Sequence, residues 1–113
     1  MHEYSIVRAL MEQVEATARK EKAIAVHGVR VRIGALAGVE PDLFSSAFEL
    51  CRQRTICAEA ALEVTLSPAV WSCPQCEAPI AQGEILRCSV CELPARMSSG
   101  DEIMLERIEL EVP

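Results

Sequence analysis

Four of the six cysteines in this 113-residue chain share one arrangement. Cys73 and Cys76 form one C-x2-C unit and Cys88 and Cys91 a second, with eleven residues between them. A C-x2-C turn brings two thiolates to one side of a tight knuckle. Two facing knuckles supply a tetrahedron of sulfur, the set that suits Zn(II). Four thiolates can also hold a single iron, which visible absorption would separate from colourless zinc thiolate. A redox CxxC would be expected once, beside a βαβ pattern. With Cys73, Cys76, Cys88 and Cys91 all engaged, no position is open for water or substrate, so the predicted zinc is structural.

A second set of donors lies at the other end of the chain. The α-amine of an unmodified Met1, the amide nitrogen of His2 and the His2 imidazole can close fused chelate rings around one cation. Glu3 adds a carboxylate or its own amide nitrogen. A planar, nitrogen-rich set favours Ni(II) or Cu(II) over Zn(II). Taken alone, these residues leave open the plainer alternative of an idle histidine at a frayed terminus.

These groups need elements to carry them. Ile6, Val7, Leu10, Met11 and Val14 form one apolar stripe, which predicts a helix over Ser5–Lys20 with Ser5 as its N-cap. "GVRVRIG", Gly28–Gly34, alternates as a half-buried strand. Its Arg30 and Arg32 are expected on a solvated face rather than as a basic partner patch. Pro41 suits a helix start, and Leu43, Phe44, Ala47, Phe48 and Cys51 repeat the helical stripe, predicting a second helix over Pro41–Arg54. Cys51 is expected in the core, Cys57 outside the chemistry, and Glu40 at the helix mouth near the positive dipole end. "ALEVTLSP" reads as another strand, ended by Pro68. In the closing segment, Ile103 and Leu105 occupy one parity and Ile108, Leu110 and Val112 the other. That demands a bulge near Glu106–Arg107 or a change of buried face.

The order is helix, strand, helix, strand, cysteine module, strand. The expected fold is α/β (α+β), a small sheet packed with two helices and carrying an inserted zinc-ribbon-like module. The expected domains are residues 1–68, the zinc module at 69–99, and a last strand at 100–113 that completes the first domain. Hinges near Pro68–Ser72 and Ser98–Gly100 leave a monomer and a dimer exchanging zinc modules both open.

Composition narrows the function. A net charge of −6 and only one Trp, one Tyr and two Phe oppose nucleic-acid binding, which needs Lys and Arg against phosphate and aromatics for stacking. No secretory leader or apolar span is evident, so the cytoplasm is the expected compartment. No spare cluster of His, Cys and carboxylates supports a zinc enzyme. An adaptor that uses zinc for shape and docks another protein, with no nickel cargo, is the competing class.

"MHEYSIV" at the start, "GALAGVEPDLFSSAFEL" after a strand, the paired CxxC module and "SGDEIMLERIELEV" at the close together resemble the HypA/HybF family of nickel metallochaperones. The resemblance spans essentially the whole chain. It implies delivery of Ni(II) to the maturing large subunit of [NiFe]-hydrogenase, in some organisms also to urease, in concert with the nickel-handling GTPase HypB and, for urease, its accessory proteins. It implies nickel at Met1, His2 and Glu3, with Glu40 matching an acidic residue that approaches nickel in some relatives, and structural zinc at the four cysteines. Some relatives carry histidines beside the second and fourth zinc cysteines, where this chain has Glu77 and Glu92. The chain's two histidines are His2 and His27, so no histidine between Ser72 and Gly100 reaches the nickel. His27 is expected as a surface histidine rather than a further ligand.

Overall fold

The helical period of the N-terminal segment becomes α1, His2–Lys20, with Val7, Met11, Val14 and Ala18 buried along one face. The computed structural model describes residues 2–113; Met1 lies outside the described residues. The helix begins at His2, not at the expected Ser5. Ser5 sits one turn inside, where its hydroxyl donates to the His2 carbonyl at 3.1 Å. Glu3 in the first turn and Arg19 and Lys20 in the last match the sign of the helix dipole at each end.

The first strand, β1, runs over Ala25–Gly34, three residues longer at its start than the alternation predicts. Distant partners hold its start: the N–H of Ile24, just before the strand, donates to the Glu111 carbonyl at 2.8 Å and the Val26 N–H to Ile56 at 3.3 Å. The second helix, α2, spans Pro41–Cys51 and closes at Arg52, before the expected Arg54, which adopts a left-handed φ of 63°. Strand β2 is Ala61–Ser67. The last strand, β6, is Ile103–Glu111 and lies beside β1, giving the order β2-β1-β6. Its half-buried residues change parity across Glu106 and Arg107, both of which are exposed.

Val7, Met11 and Val14 of α1, Phe44 and Phe48 of α2, and Val29 and Val31 of β1 surround a small interior void of about 10 Å³. The apolar stripes of two helices and one sheet face thus bury each other. The stripe of α2 is narrower than the sequence predicts: Phe44, Ala47 and Phe48 are buried, but Leu43 is 50% exposed. The core expectation for Cys51 does not hold. Cys51 is half-buried, whereas Cys57 is fully buried, and that burial pushes its thiol pKa up. Alternating with the buried valines, Arg30 pairs with Glu63 at 3.3 Å and Arg32 with Glu106 at 3.5 Å. Their charge is therefore matched within the sheet and does not form a basic patch.

By contact density the chain forms two compact units: Met1–Arg32, Val39–Thr65 and Met104–Pro113 in one, Ile33–Gly38 and Leu66–Ile103 in the other. The second unit is built on three short strands, β3 (Val70–Ser72), β4 (Pro79–Ile80) and β5 (Arg96–Ser99), in the order β4-β3-β5. Both pairs are antiparallel, with Trp71 opposite Ile80 on one side and opposite Met97 on the other. The Trp71 indole N–H donates to the Gln82 side chain. The turn after β1 is tied to both ends of this unit. The Gly34 N–H donates to Glu102 at 2.7 Å, Ala35 to Ser67 at 2.8 Å and Leu36 to Gly100 at 2.7 Å. Glycine is required at the crossing, because a Cβ on Gly34 would lie 2.2 Å from the Gly100 carbonyl carbon and oxygen.

Candidate metal centres

The two C-x2-C segments fold into matching knuckles. In the first, the Cys73 N–H donates to Ala78 at 2.9 Å and the Glu77 N–H returns to the Cys73 carbonyl at 3.0 Å. In the second, Cys88 donates to Leu93 at 2.9 Å and Glu92 returns to Cys88 at 3.0 Å. Each turn is completed by a glutamate in the left-handed region, Glu77 at φ 62° and Glu92 at φ 58°. Backbone donors converge on the leading sulfur of each knuckle: Gln75 and Cys76 N–H on Cys73 Sγ at 3.4 and 3.5 Å, and Cys91 N–H on Cys88 Sγ at 3.3 Å.

The knuckles face each other. All four Sγ atoms lie within 4.8 Å of one another, and Cys76 Sγ is 3.7 Å from Cys88 Sγ. A tetrahedron with zinc–sulfur bonds of ~2.3 Å has edges of about 3.8 Å, so the spacing fits such an ion. The thiols are polarised unequally. The Cys76 and Gln75 N–H groups draw the Cys73 pKa down to about 6. The N–H groups of Cys91 and Val90 lower that of Cys88. Cys91 is pushed up to about 12, first by the Cys76 thiol and then by burial. Four thiolates at this spacing repel one another unless a cation sits among them, which is the electrostatic condition a metal ligand set satisfies.

At the other predicted centre, His2 is exposed and Glu3 half-buried in the first turn of α1. Glu40 precedes Pro41 as the N-cap of α2, with an extended backbone (φ −82°, ψ 117°) and no side-chain cap of its own. The structure brings Glu3 and Glu40 together: the Glu40 N–H donates to Glu3 Oε2 at 3.3 Å. The Glu3 carboxylate also accepts from its own N–H, and the two donors hold its pKa below the usual glutamate value. Met1, the remaining predicted ligand, lies outside the described residues. His27 is not part of this group; its Nε2 pairs with Glu111 Oε1 at 2.6 Å, at a half-exposed surface. Among the described residues, the four cysteines are the one set of three or more His, Cys, Asp or Glu gathered closely enough to hold a metal.

The Glu3–Glu40 bond was not visible in either segment alone. Its signals were separate: an acid in the first turn of one helix, and an uncapped residue before the proline that opens another. The polarised sulfur positions were equally silent, because they depend on where backbone N–H groups point. No helix among the described residues is long and apolar enough to cross a membrane.

Known proteins resemble this chain over its whole length. The family model described as "Hydrogenase/urease nickel incorporation, metallochaperone, hypA" matches residues 1–110. Hydrogenase maturation factor HypA of Shewanella oneidensis is 40% identical over 113 residues, covering 98% of this chain and 96% of that protein. The HypA of Wolinella succinogenes is 40% identical over 114 residues, with 98% and 96% covered. Among solved structures, the Ni metallochaperone HypA from Helicobacter pylori superposes with a TM-score of 0.75 at 27% identity, covering 98% of each chain. A second HypA solution structure gives a TM-score of 0.81 at 28% identity, covering all of this chain and 98% of the other. Two helices, two small sheets and a four-cysteine ribbon, matched in sequence and in fold, place the chain in the HypA family of hydrogenase/urease nickel-incorporation factors, which are metallochaperones and not enzymes.

Proposed function

We propose that this protein carries Ni(II) at its N-terminal end, through Met1, His2 and Glu3 with Glu40 beside them. It helps deliver the ion to the immature large subunit of [NiFe]-hydrogenase, or to the urease assembly, working with the GTPase HypB. The observation that carries this reading is the Glu3–Glu40 hydrogen bond of 3.3 Å. It joins the first turn of α1, which carries His2 and Glu3, to the mouth of α2 at Glu40. The start of α1 at His2 also supports it. The first N–H groups of a helix have no intrahelical acceptor, so the His2 amide can give up its proton without breaking a helix hydrogen bond.

Delivery requires selective binding followed by release. A nitrogen-rich set discriminates against tetrahedral zinc, and a chain terminus can peel toward an acceptor. Each nitrogen ligand must be deprotonated to bind, so nickel affinity should fall between about pH 8 and pH 6. The four cysteines would hold Zn(II) in a purely structural role, since no coordination position is left open. We place the protein in the cytoplasm on the same reading.

The experiment is a nickel titration of three chains: native, His2→Ala, and one with residues added before Met1. Loss of nickel binding in both variants, with zinc retained, is the expected result. Nickel retention in the extended chain would show that the amine is not a ligand. Absence of nickel binding in the native chain would leave a zinc-stabilised docking adaptor as the better account.

A further inference from the structure

The two cysteine knuckles have the same backbone hydrogen bonds but different surfaces. The second residue after the leading cysteine is Gln75 in the first knuckle and Val90 in the second. Because Gln75 serves the same turn, the fold has no requirement for an apolar residue there. Val90 is nevertheless 83% exposed, and Ile85, on the approach to the same knuckle, is 84% exposed. Among the described residues they are the two most exposed large apolar side chains.

The backbone at Ile85 is tied by hydrogen bonds. Its carbonyl accepts the Arg87 N–H at 2.8 Å, and the neighbouring Leu86 carbonyl accepts the Ala95 N–H at 2.9 Å, next to a bridge between Arg87 and Pro94. A pinned backbone loses little further entropy on being covered. Ile85 borders a shallow groove of about 530 Å³ with Glu84, Arg87, Cys88, Ser89 and Glu92. Two carboxylates against one guanidinium leave this rim acidic, on a chain of net charge −6.

We infer that the second knuckle, with Ile85 on the rim of its groove and Val90 on the turn itself, is a docking surface for a partner protein that presents an apolar side chain flanked by lysine or arginine. The apolar centre supplies the buried anchor of an interface, and the acidic rim selects the charge of what surrounds it. A second copy of this chain is a poorer complement, since it would bring the same net-acidic rim of two carboxylates and one guanidinium. Ile85 and Val90 belong to the second compact unit and the residues proposed for nickel to the first, and only the choice of binding probe rests on the nickel-delivery reading.

The test measures binding of the purified, nickel-free hydrogenase large subunit by calorimetry at low and high salt. Three chains are compared: native, Ile85→Gln with Val90→Gln, and Glu84→Lys with Glu92→Lys. Both variants are expected to weaken binding by roughly tenfold or more, and the charge variant to lose the salt dependence of the native chain. Nickel titration and cysteine-bound metal should be unchanged in both. Affinity within about twofold of native in both variants, absence of native binding, loss of cysteine-bound metal alongside the affinity, or a native dimer that the apolar variant dissolves would each overturn the assignment. A failed nickel titration with intact docking would sink the carrier reading and leave this surface standing.

Discussion

The Glu3 carboxylate accepts the backbone N–H of Glu40 at 3.3 Å, thirty-seven residues further along the chain. One acidic side chain thereby serves the N-terminal ends of two helices, α1 and α2, where the partial positive charges of the helix dipoles favour it.

That contact has a pH signature. The folded-state pKa of Glu3 is lowered by its own N–H and by that of Glu40. A lowered acid contributes stability that is fully present above its unfolded value and is lost as pH falls through the folded one. The Glu40 amide resonance should therefore shift with a midpoint below the ordinary glutamate range, and the shift should vanish in Glu3→Gln. A midpoint at or above the ordinary value would contradict the bond.

Gly34→Ala should destabilise the protein by about 1–3 kcal/mol or more. The new Cβ would meet Gly100 backbone atoms at 2.2 Å and the Asp101 nitrogen at 2.7 Å, and backbone cannot swing aside as a side chain can. Urea unfolding would show a lower midpoint with unchanged slope. A native-like midpoint would mean that the crossing at Gly34 and Gly100 opens at little cost.

Cys73→Ser, or a strong chelator, should release the metal from the four cysteines and unfold the β3–β5 module. Small zinc modules draw roughly 10–16 kcal/mol of apparent folding free energy from the ion, far more than three short strands supply. The checks are metal content per chain and the melting curve. An unaltered melt with full metal retention would remove the structural role assigned to this site.

Two adjacent residues of α2 should respond very differently. Phe44 is 1% exposed, and Phe44→Ala should cost about 3–5 kcal/mol. Leu43 is 50% exposed, and Leu43→Ala should stay within about 0.5 kcal/mol. Chemical denaturation of the two variants checks both values. Equal losses would show that Leu43 packs against something in solution.

The features legible in the residues alone are those set by short-range periodicity and local chemistry. The C-x2-C pairs, the apolar stripes of α1 and α2, the alternation in β1 and the change of parity at Glu106–Arg107 are each contained in a few consecutive residues. Local geometry alone makes a C-x2-C turn a knuckle and a 3.6-residue period a helix face. What those elements touch emerges in the folded chain. The order β2-β1-β6 gives Arg30 and Arg32 their glutamates and His27 its Glu111, eighty-four residues away. The limited width of the interface between α2 and its neighbours leaves Leu43 outside and buries Cys57 rather than Cys51. The start of α1 at His2 and its bond to Glu40 belong to the same class. The reason in each case is that the partner is supplied by a chain segment tens of residues distant, and no local pattern encodes which segment will arrive.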